Sequence, residues 1–412
     1  MTAPNGAAAP AHAQRDSPHA WRIVAAGFIA TFTLFGIVYS FGAFFRPMAV
    51  EFGANREALS AVFSITAFLY FLLGPVTGHL ADRFGPRPVV AAGALIMGAG
   101  LIATAFVNHL WAAYLTYGLG VGIGVACCYV PLVAAISGWF LKRRNTALGI
   151  AVSGIGAGTL VVAPVAALLI EHLGWRGAYI IMGFVAAAGL SACAYLAEPA
   201  PVALETSRMP LSRAIRSPDF VVLYGSSILW SVATSVPFVF LTPYAQGLGI
   251  GDVSAATLVG LIGFASTAGR LGLGALADRM GIIRLFKLCI LALGLSYAVW
   301  TGAHSYTALA IFALAMGVSY GGAVTLTPAV LAELVGTDGL GVTLGVLYTS
   351  SAIGTLLGPP LCGAIADRTG SYQYAIGFTL AATLTAFVIL LRLGRRPTAE
   401  SVKFAENTIR PS

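Results

Sequence analysis

A chain of 412 residues that is 58% hydrophobic and only 9% charged, with mean hydropathy +0.87, is not a soluble domain, in which about a quarter of residues carry charge. The net charge of +8 raises the question of a nucleic-acid partner, but its placement along the chain excludes one. The five cysteines (Cys127, Cys128, Cys193, Cys289, Cys362) lie in apolar runs and read as packing residues, not as disulfides or metal ligands.

In chain order, residues 1–20 form an Ala/Pro-rich tail. The apolar run after it is too long for a signal-peptide core and is expected as an uncleaved first span. Apolar stretches of membrane-crossing length then recur to the end of the chain. They predict an all-α polytopic membrane protein with twelve transmembrane helices, at 21–45, 56–79, 87–107, 111–140, 146–170, 176–197, 218–245, 254–278, 283–303, 307–334, 340–366 and 373–394. The Pro-, Ser- and Arg-rich segment 198–217 reads as a linker between six-helix bundles at 21–197 and 218–394, and 395–412 as a second tail. The 49 glycines suit membrane helices, where small residues let backbones approach.

The halves repeat. Gly78-His-Leu-Ala-Asp82-Arg83-Phe-Gly85 returns as Gly274-Ala-Leu-Ala-Asp278-Arg279-Met-Gly281, an offset of 196. The same offset relates Gly158, Thr159, Pro164 and Gly174 to Gly354, Thr355, Pro360 and Gly370, so the chain is a duplicated six-helix unit with pseudo-two-fold symmetry. Such repeats place a substrate site near the bilayer midplane between the bundles. With an even number of spans both tails share a side. Eighteen of the 23 Lys and Arg fall there and four (Arg46, Arg56, Arg176, Arg368) on the other, which predicts cytoplasmic termini in a plasma (inner) membrane. The basic excess is topology, and no nucleic-acid partner is expected.

These features resemble the major facilitator superfamily over residues 20–395, above all the Gly-x-x-x-Asp-Arg-x-Gly loop at Gly78–Gly85 and its copy. Within it, Tyr39-Ser-Phe-Gly-Ala-Phe-Phe-Arg-Pro47, Trp139-Phe-Leu-Lys142-Arg143-Arg144, Gly174-Trp-Arg-Gly177 and a span-8 arginine resemble the monocarboxylate transporter branch and its oxalate/formate antiporter relatives. The resemblance implies that Gly78, Asp82, Arg83, Gly85, Gly274, Asp278 and Arg279 form a cytoplasmic gate, latched in the outward-facing state. The glycines there would permit close helix contact, and the aspartates would pair with arginine or face a helix N-terminus.

The remaining cation, Arg270, stands within an apolar, small-residue stretch. Eight residues separate it from Asp278 at the helix end, about 12 Å at 1.5 Å per residue, so it is expected near the midplane. A guanidinium stays charged there at a cost of roughly 2.5–3.5 kcal/mol, and such residues mark substrate or ion pathways. All 15 Asp and Glu fall at span ends, loops or tails, so the missing counter-ion is read as the substrate. Arginine favours a carboxylate held by two parallel hydrogen bonds. The antiporter relatives carry a span-11 lysine where this chain has Ser351; one cation balances a monocarboxylate of lactate or pyruvate type, not a dicarboxylate. Tyr39, Tyr129 and Tyr320 match aromatic site positions of those relatives, and Ser266, Tyr348 and Ser351 complete the expected set. Trp230, Thr234 and Phe238 form an i, i+4, i+8 stripe that reads as packing.

Proton symport is the family expectation, with the proton as co-substrate. Animal monocarboxylate transporters carry an aspartate one turn before the span-8 arginine, where this chain has Ser266, and none of the six histidines lies at mid-depth. The alternative is an exchanger of formate or oxalate type, because an empty carrier must move a bare Arg270 whereas a loaded one moves a neutral pair. No catalytic acid/base pair, Ser/His/Asp set, metal-spaced cluster or nucleotide loop appears, so neither enzyme nor cofactor is expected.

Overall fold

The structure, a computed structural model, describes residues 17–140, 143–199, 215–336 and 340–393, without the side chains of Asn145, Gly274, Ala275 and Asp278. Ten helices are long and apolar enough to cross a bilayer; a pair bent by 48°, Arg56–Leu72 with Gly74–Phe84, adds an eleventh. The helix Arg144–Leu196 is broken at Gly174 and holds two spans, which brings the number to twelve. Span 1 is Ala20–Phe52 and span 2 the bent pair; span 3 is Pro86–Thr104 and span 4 Leu110–Trp139. Spans 5 and 6 flank Gly174. Spans 7 to 12 are Pro218–Gly247, Asp252–Met280, Ile282–Thr301, Tyr306–Val335, Leu340–Thr369 and Tyr372–Leu390.

The repeat is visible in the backbone. Six of the seven positive-φ glycines are pairs 196 residues apart: Gly53 (+57°) with Gly249 (+82°), Gly85 (+85°) with Gly281 (+84°), and Gly174 (+69°) with Gly370 (+70°). Packing repeats too. Span 1 lies on span 5 as span 7 lies on span 11, and span 3 contacts spans 4 and 6 as span 9 contacts spans 10 and 12. At the first of these contacts a side chain on Gly158 would run into the Phe32 carbonyl, and one on Gly354 into the Ile228 carbonyl, again 196 apart. Small residues at these crossings let helices without a hydrophobic driving force between them gain close van der Waals contact.

Several element limits differ from the sequence expectation. Span 1 continues to Phe52 in two pieces that meet at Ser40, whose hydroxyl bonds back to the Ile37 carbonyl at 2.7 Å. Span 2 bends at Gly74-Pro75, where proline supplies no backbone donor. Span 4 contains a π-helical turn, Tyr114–Leu119, where Gly100 and Gly120 bring spans 3 and 4 to near backbone contact. Spans 5 and 6 have no separate loop; one left-handed glycine makes the corner.

Gly158→Ala is expected to destabilise the protein by about 1–3 kcal/mol, since a methyl there meets backbone and not a yielding side chain. Gly149→Ala, with open space around it, serves as the neutral control. Thermal unfolding of the detergent-purified variants measures both.

Candidate functional site

Arg270 lies ten residues from the end of span 8, about 15 Å along the helix, and is half-buried. Its Nε donates to Ser266 Oγ one turn earlier, at 3.3 Å. Among the described residues it forms no ion pair. A seam of glycines fixes what stands opposite it: Gly269 abuts the Val318 carbonyl, and Gly317 and Gly321 abut the carbonyls of Ile262 and Ser266. Span 10 therefore runs against span 8 without intervening side chains, and Tyr320 is carried to the level of Arg270.

The guanidinium is within electrostatic reach of Tyr39, Tyr129 and Tyr348. Tyr320 joins this set through its hydroxyl, 3.4 Å from that of Tyr39. Spans 1, 4, 8, 10 and 11 thus converge, two from the first half and three from the second. Tyr39 stacks on Phe238 of span 7 at 4.0 Å between ring centroids and 14° between planes. Phe35 meets Tyr129 edge-on at 5.3 Å. The result is a set of phenolic hydroxyls around one cation, backed by apolar rings that exclude water. This chemistry fits an oxyanion with hydrogen-bonding oxygens.

Two residues of this set were absent from the sequence expectation. Tyr70 of span 2 lies near Tyr39, Tyr129 and Tyr320 and packs edge-on to Phe35 at 5.8 Å. It sits in a run with Phe63, Phe68 and Phe71 that is apolar on every side, so no helical period singles it out. Phe238 was read as packing; its stack on Tyr39 makes it part of the wall between the halves. Ser351 accepts a hydrogen bond from Ser231 of span 7 at 3.2 Å. Trp230 is buried, its indole N–H without a partner among the described residues.

The two ends of the molecule differ. On the face opposite the termini, Arg56 of span 2 pairs with Asp367 of span 11 at 3.3 Å, donates to the Tyr372 hydroxyl at 3.0 Å and lies 4.8 Å over that ring. Asp367 also accepts the Glu57 backbone N–H at 3.0 Å, at the N-terminus of span 2, where an anion is favoured. Gly363 lets span 11 pack on this backbone, since a β-carbon there would come within 2.7 Å of Glu57. The halves are pinned together there. At the terminal face the expected gate is disengaged: Asp82 is exposed and unpaired among the described residues, and Arg83 lies over Phe84. Gly78 has room for a methyl 3.5 Å from Val130, so close helix approach at that position is not used in this state. Gly85 makes a positive-φ corner, Arg279 is exposed, and Gly274 and Asp278 lie outside the described side chains. An ion pair thus joins the halves at one face, while at the other Asp82 makes none among the described residues.

The Major Facilitator Superfamily model matches residues 27–301 and 284–411. Monocarboxylate transporter 12-B of Danio rerio is 30% identical over 407 residues, covering 89% of this chain and 85% of that protein. Monocarboxylate transporter 3 of Rattus norvegicus is 32% identical over 378 residues, covering 87% and 76%. Among solved structures, a bacterial homologue of the human lysosomal transporter Spinster, inward-facing and occupied, superposes with a TM-score of 0.69 at 17% identity over 91% of this chain and 95% of that one. This last likeness concerns the fold alone.

Arg56→Gln removes the pair that pins spans 2 and 11. The loss of about 1 kcal/mol for a partly exposed pair shifts the opening equilibrium at that face roughly fivefold. Spin-label distances between Ala54 and Gly370 are expected to lengthen in a larger fraction of molecules than in the parent.

Proposed function

We propose that this chain, which belongs to the Major Facilitator Superfamily and within it to the monocarboxylate transporter branch, carries small monocarboxylates of the lactate and pyruvate type across the membrane by alternating access, with a proton as co-substrate. The observation that carries this reading is the unpaired Arg270 at mid-span, facing tyrosine hydroxyls from both halves. A carboxylate on the guanidinium neutralises the one fixed charge at that depth. The hydroxyls of Tyr39, Tyr129, Tyr320 and Tyr348 then receive its oxygens and any 2-hydroxy or 2-oxo group. Ser266 orients Arg270. Because these groups come from both halves, a bound anion bridges them, and its binding energy favours the closed intermediate between the two open states.

Charge sets the substrate class. With the neutral Ser351 where the antiporter relatives carry a lysine, and no second cation at this depth among the described residues, a dicarboxylate would keep one negative charge in a low-dielectric site. A monoanion leaves none. The positive-inside distribution supports cytoplasmic termini, so the face pinned by Arg56 is read as the outer one and the molecule as inward-open. In this reading Asp82 and Asp278 engage only when the cytoplasmic side closes.

Coupling has two readings. In symport the proton rides on the substrate carboxylate or passes through the tyrosine hydroxyls, since Ser266 stands where an acid would serve as relay. Exchange is favoured by the same observation: an empty carrier has to carry bare Arg270 through the occluded state, and among the described residues no carboxylate pairs with it.

Proteoliposomes with labelled lactate, pyruvate, formate and oxalate separate these readings. Lactate and pyruvate are expected to enter faster under an inward proton gradient, and oxalate to lag behind them. Lactate entry that ignores the gradient yet requires an internal anion establishes exchange, and oxalate outrunning lactate overturns the charge argument. Arg270→Gln is expected to lose uptake by at least ~30-fold, the effect of about 2 kcal/mol or more for removing one partner of a buried charge pair. Arg270→Lys, which keeps the charge but not the fork, should fall between.

A further inference from the structure

The two halves, alike in backbone, differ in the side chains they turn to the site. Phe35 is the hub of the first half's wall, its ring centroid 5.6 Å from that of Tyr39, 5.8 Å from Tyr70 and 5.3 Å from Tyr129. The offset of 196 carries these four residues onto Ser231, Ser235, Ser266 and Thr325. Each aromatic ring of the first half is matched by a small hydroxyl side chain in the second. The same offset carries Gly74 onto Arg270. Smaller side chains on an equivalent backbone leave room, so the space for a ligand lies against the second half, beside its cation.

Two hydroxyls on that side are already aligned. Ser231 of span 7 donates to Ser351 Oγ of span 11 at 3.2 Å, and both side chains are buried. Ser351 lies eleven residues beyond Leu340 in span 11, and Arg270 ten residues before Met280 in span 8, a similar depth of about 15 Å from the terminal face. Tyr348, one turn before Ser351, has the guanidinium within electrostatic reach. The Ser235 and Thr325 hydroxyls donate to the carbonyls of Val232 and Gly321 on their own helices. The single hydroxyl proton of Ser351, by contrast, meets no acceptor among the described residues.

We propose that Ser351, aligned by Ser231, donates to the 2-oxygen of the carried acid while Arg270 holds its carboxylate. The proposal rests on the function assigned above and narrows it to 2-hydroxy and 2-oxo acids. Hydrogen bonds from Ser231 to Ser351 and from Ser351 to the ligand run in one direction, so each polarises the next. A 2-oxo or 2-hydroxyl oxygen accepts the Ser351 proton. Propionate, which is lactate without that oxygen, leaves a buried donor unmet. Ser351 is thus a specificity-determining residue and Ser231 a positioning residue.

The test is uptake of labelled lactate, pyruvate and propionate into proteoliposomes, with the preference for lactate over propionate as the readout. A structural defect slows all three acids without changing that ratio. The parent is expected to favour lactate and pyruvate about fivefold, the effect of one neutral hydrogen bond. Ser351→Ala is expected to bring the ratio to about one by weakening lactate and pyruvate and leaving propionate unchanged. Ser231→Ala, which keeps the Ser351 hydroxyl but not its alignment, should fall between. A parent that takes propionate as readily as lactate overturns the proposal and leaves monocarboxylate transport standing. A preference that survives Ser351→Ala overturns it too, as does an equal loss for all three acids. A ratio untouched by Ser231→Ala overturns the alignment and with it the proposal as stated. A parent that carries none of the three overturns the transport reading first.

Discussion

One uncompensated charge in the middle of a membrane helix constrains the rest of this protein. Arg270 cannot lose its proton, lies about ten residues from the nearer end of span 8, and among the described residues is bonded only to a serine hydroxyl. Such a charge is tolerable where polar groups surround it and water or an anion can reach it. The glycine seam between spans 8 and 10 meets the first condition by bringing Tyr320 alongside. Convergence of Tyr39, Tyr129 and Tyr348 from three further helices completes it. In the proposed mechanism an opening between the halves meets the second.

The two-fold design supplies that opening. Spans 1 and 5 in one half and 7 and 11 in the other pack through glycine-to-carbonyl contacts, and spans 5 and 8 meet across the halves in the same way at Gly156 and Gly263. Contact between the halves depends on a smaller set: spans 5 with 8, spans 2 with 11, and the Tyr39–Phe238 stack. The Arg56–Asp367 pair holds the arrangement seen, and in the proposed mechanism it alternates with contacts of the Asp82 motif, which is unpaired among the described residues. A partly exposed ion pair of modest strength suits this use, because a stronger one would trap the carrier on one side.

Selectivity and coupling follow from what stands beside Arg270. In the proposed mechanism Ser266 gives orientation without a titratable group, so the site binds charge but does not itself store a proton. This separates recognition, which one cation and a few hydroxyls accomplish, from energetic coupling, which must pass through the substrate or the tyrosines.

Apolar length and composition determined the number of spans, and the offset of 196 determined the duplication, because membrane crossing and repetition are written along one dimension. The same is true of Arg270, whose cost depends only on its place within an apolar run. Tertiary structure alone decided that Tyr70 joins the tyrosine set and Phe238 the wall, since a helix apolar on all sides gives no period from which to read its inward face. It also decided that Ser351 bonds to Ser231, that span 1 breaks at Ser40 and continues to Phe52, and that spans 5 and 6 turn on a single glycine. The state of the carrier lies wholly at this level: Arg56 and Asp367 are 311 residues apart, and no local pattern announces a contact that exists only when two rigid halves lean together.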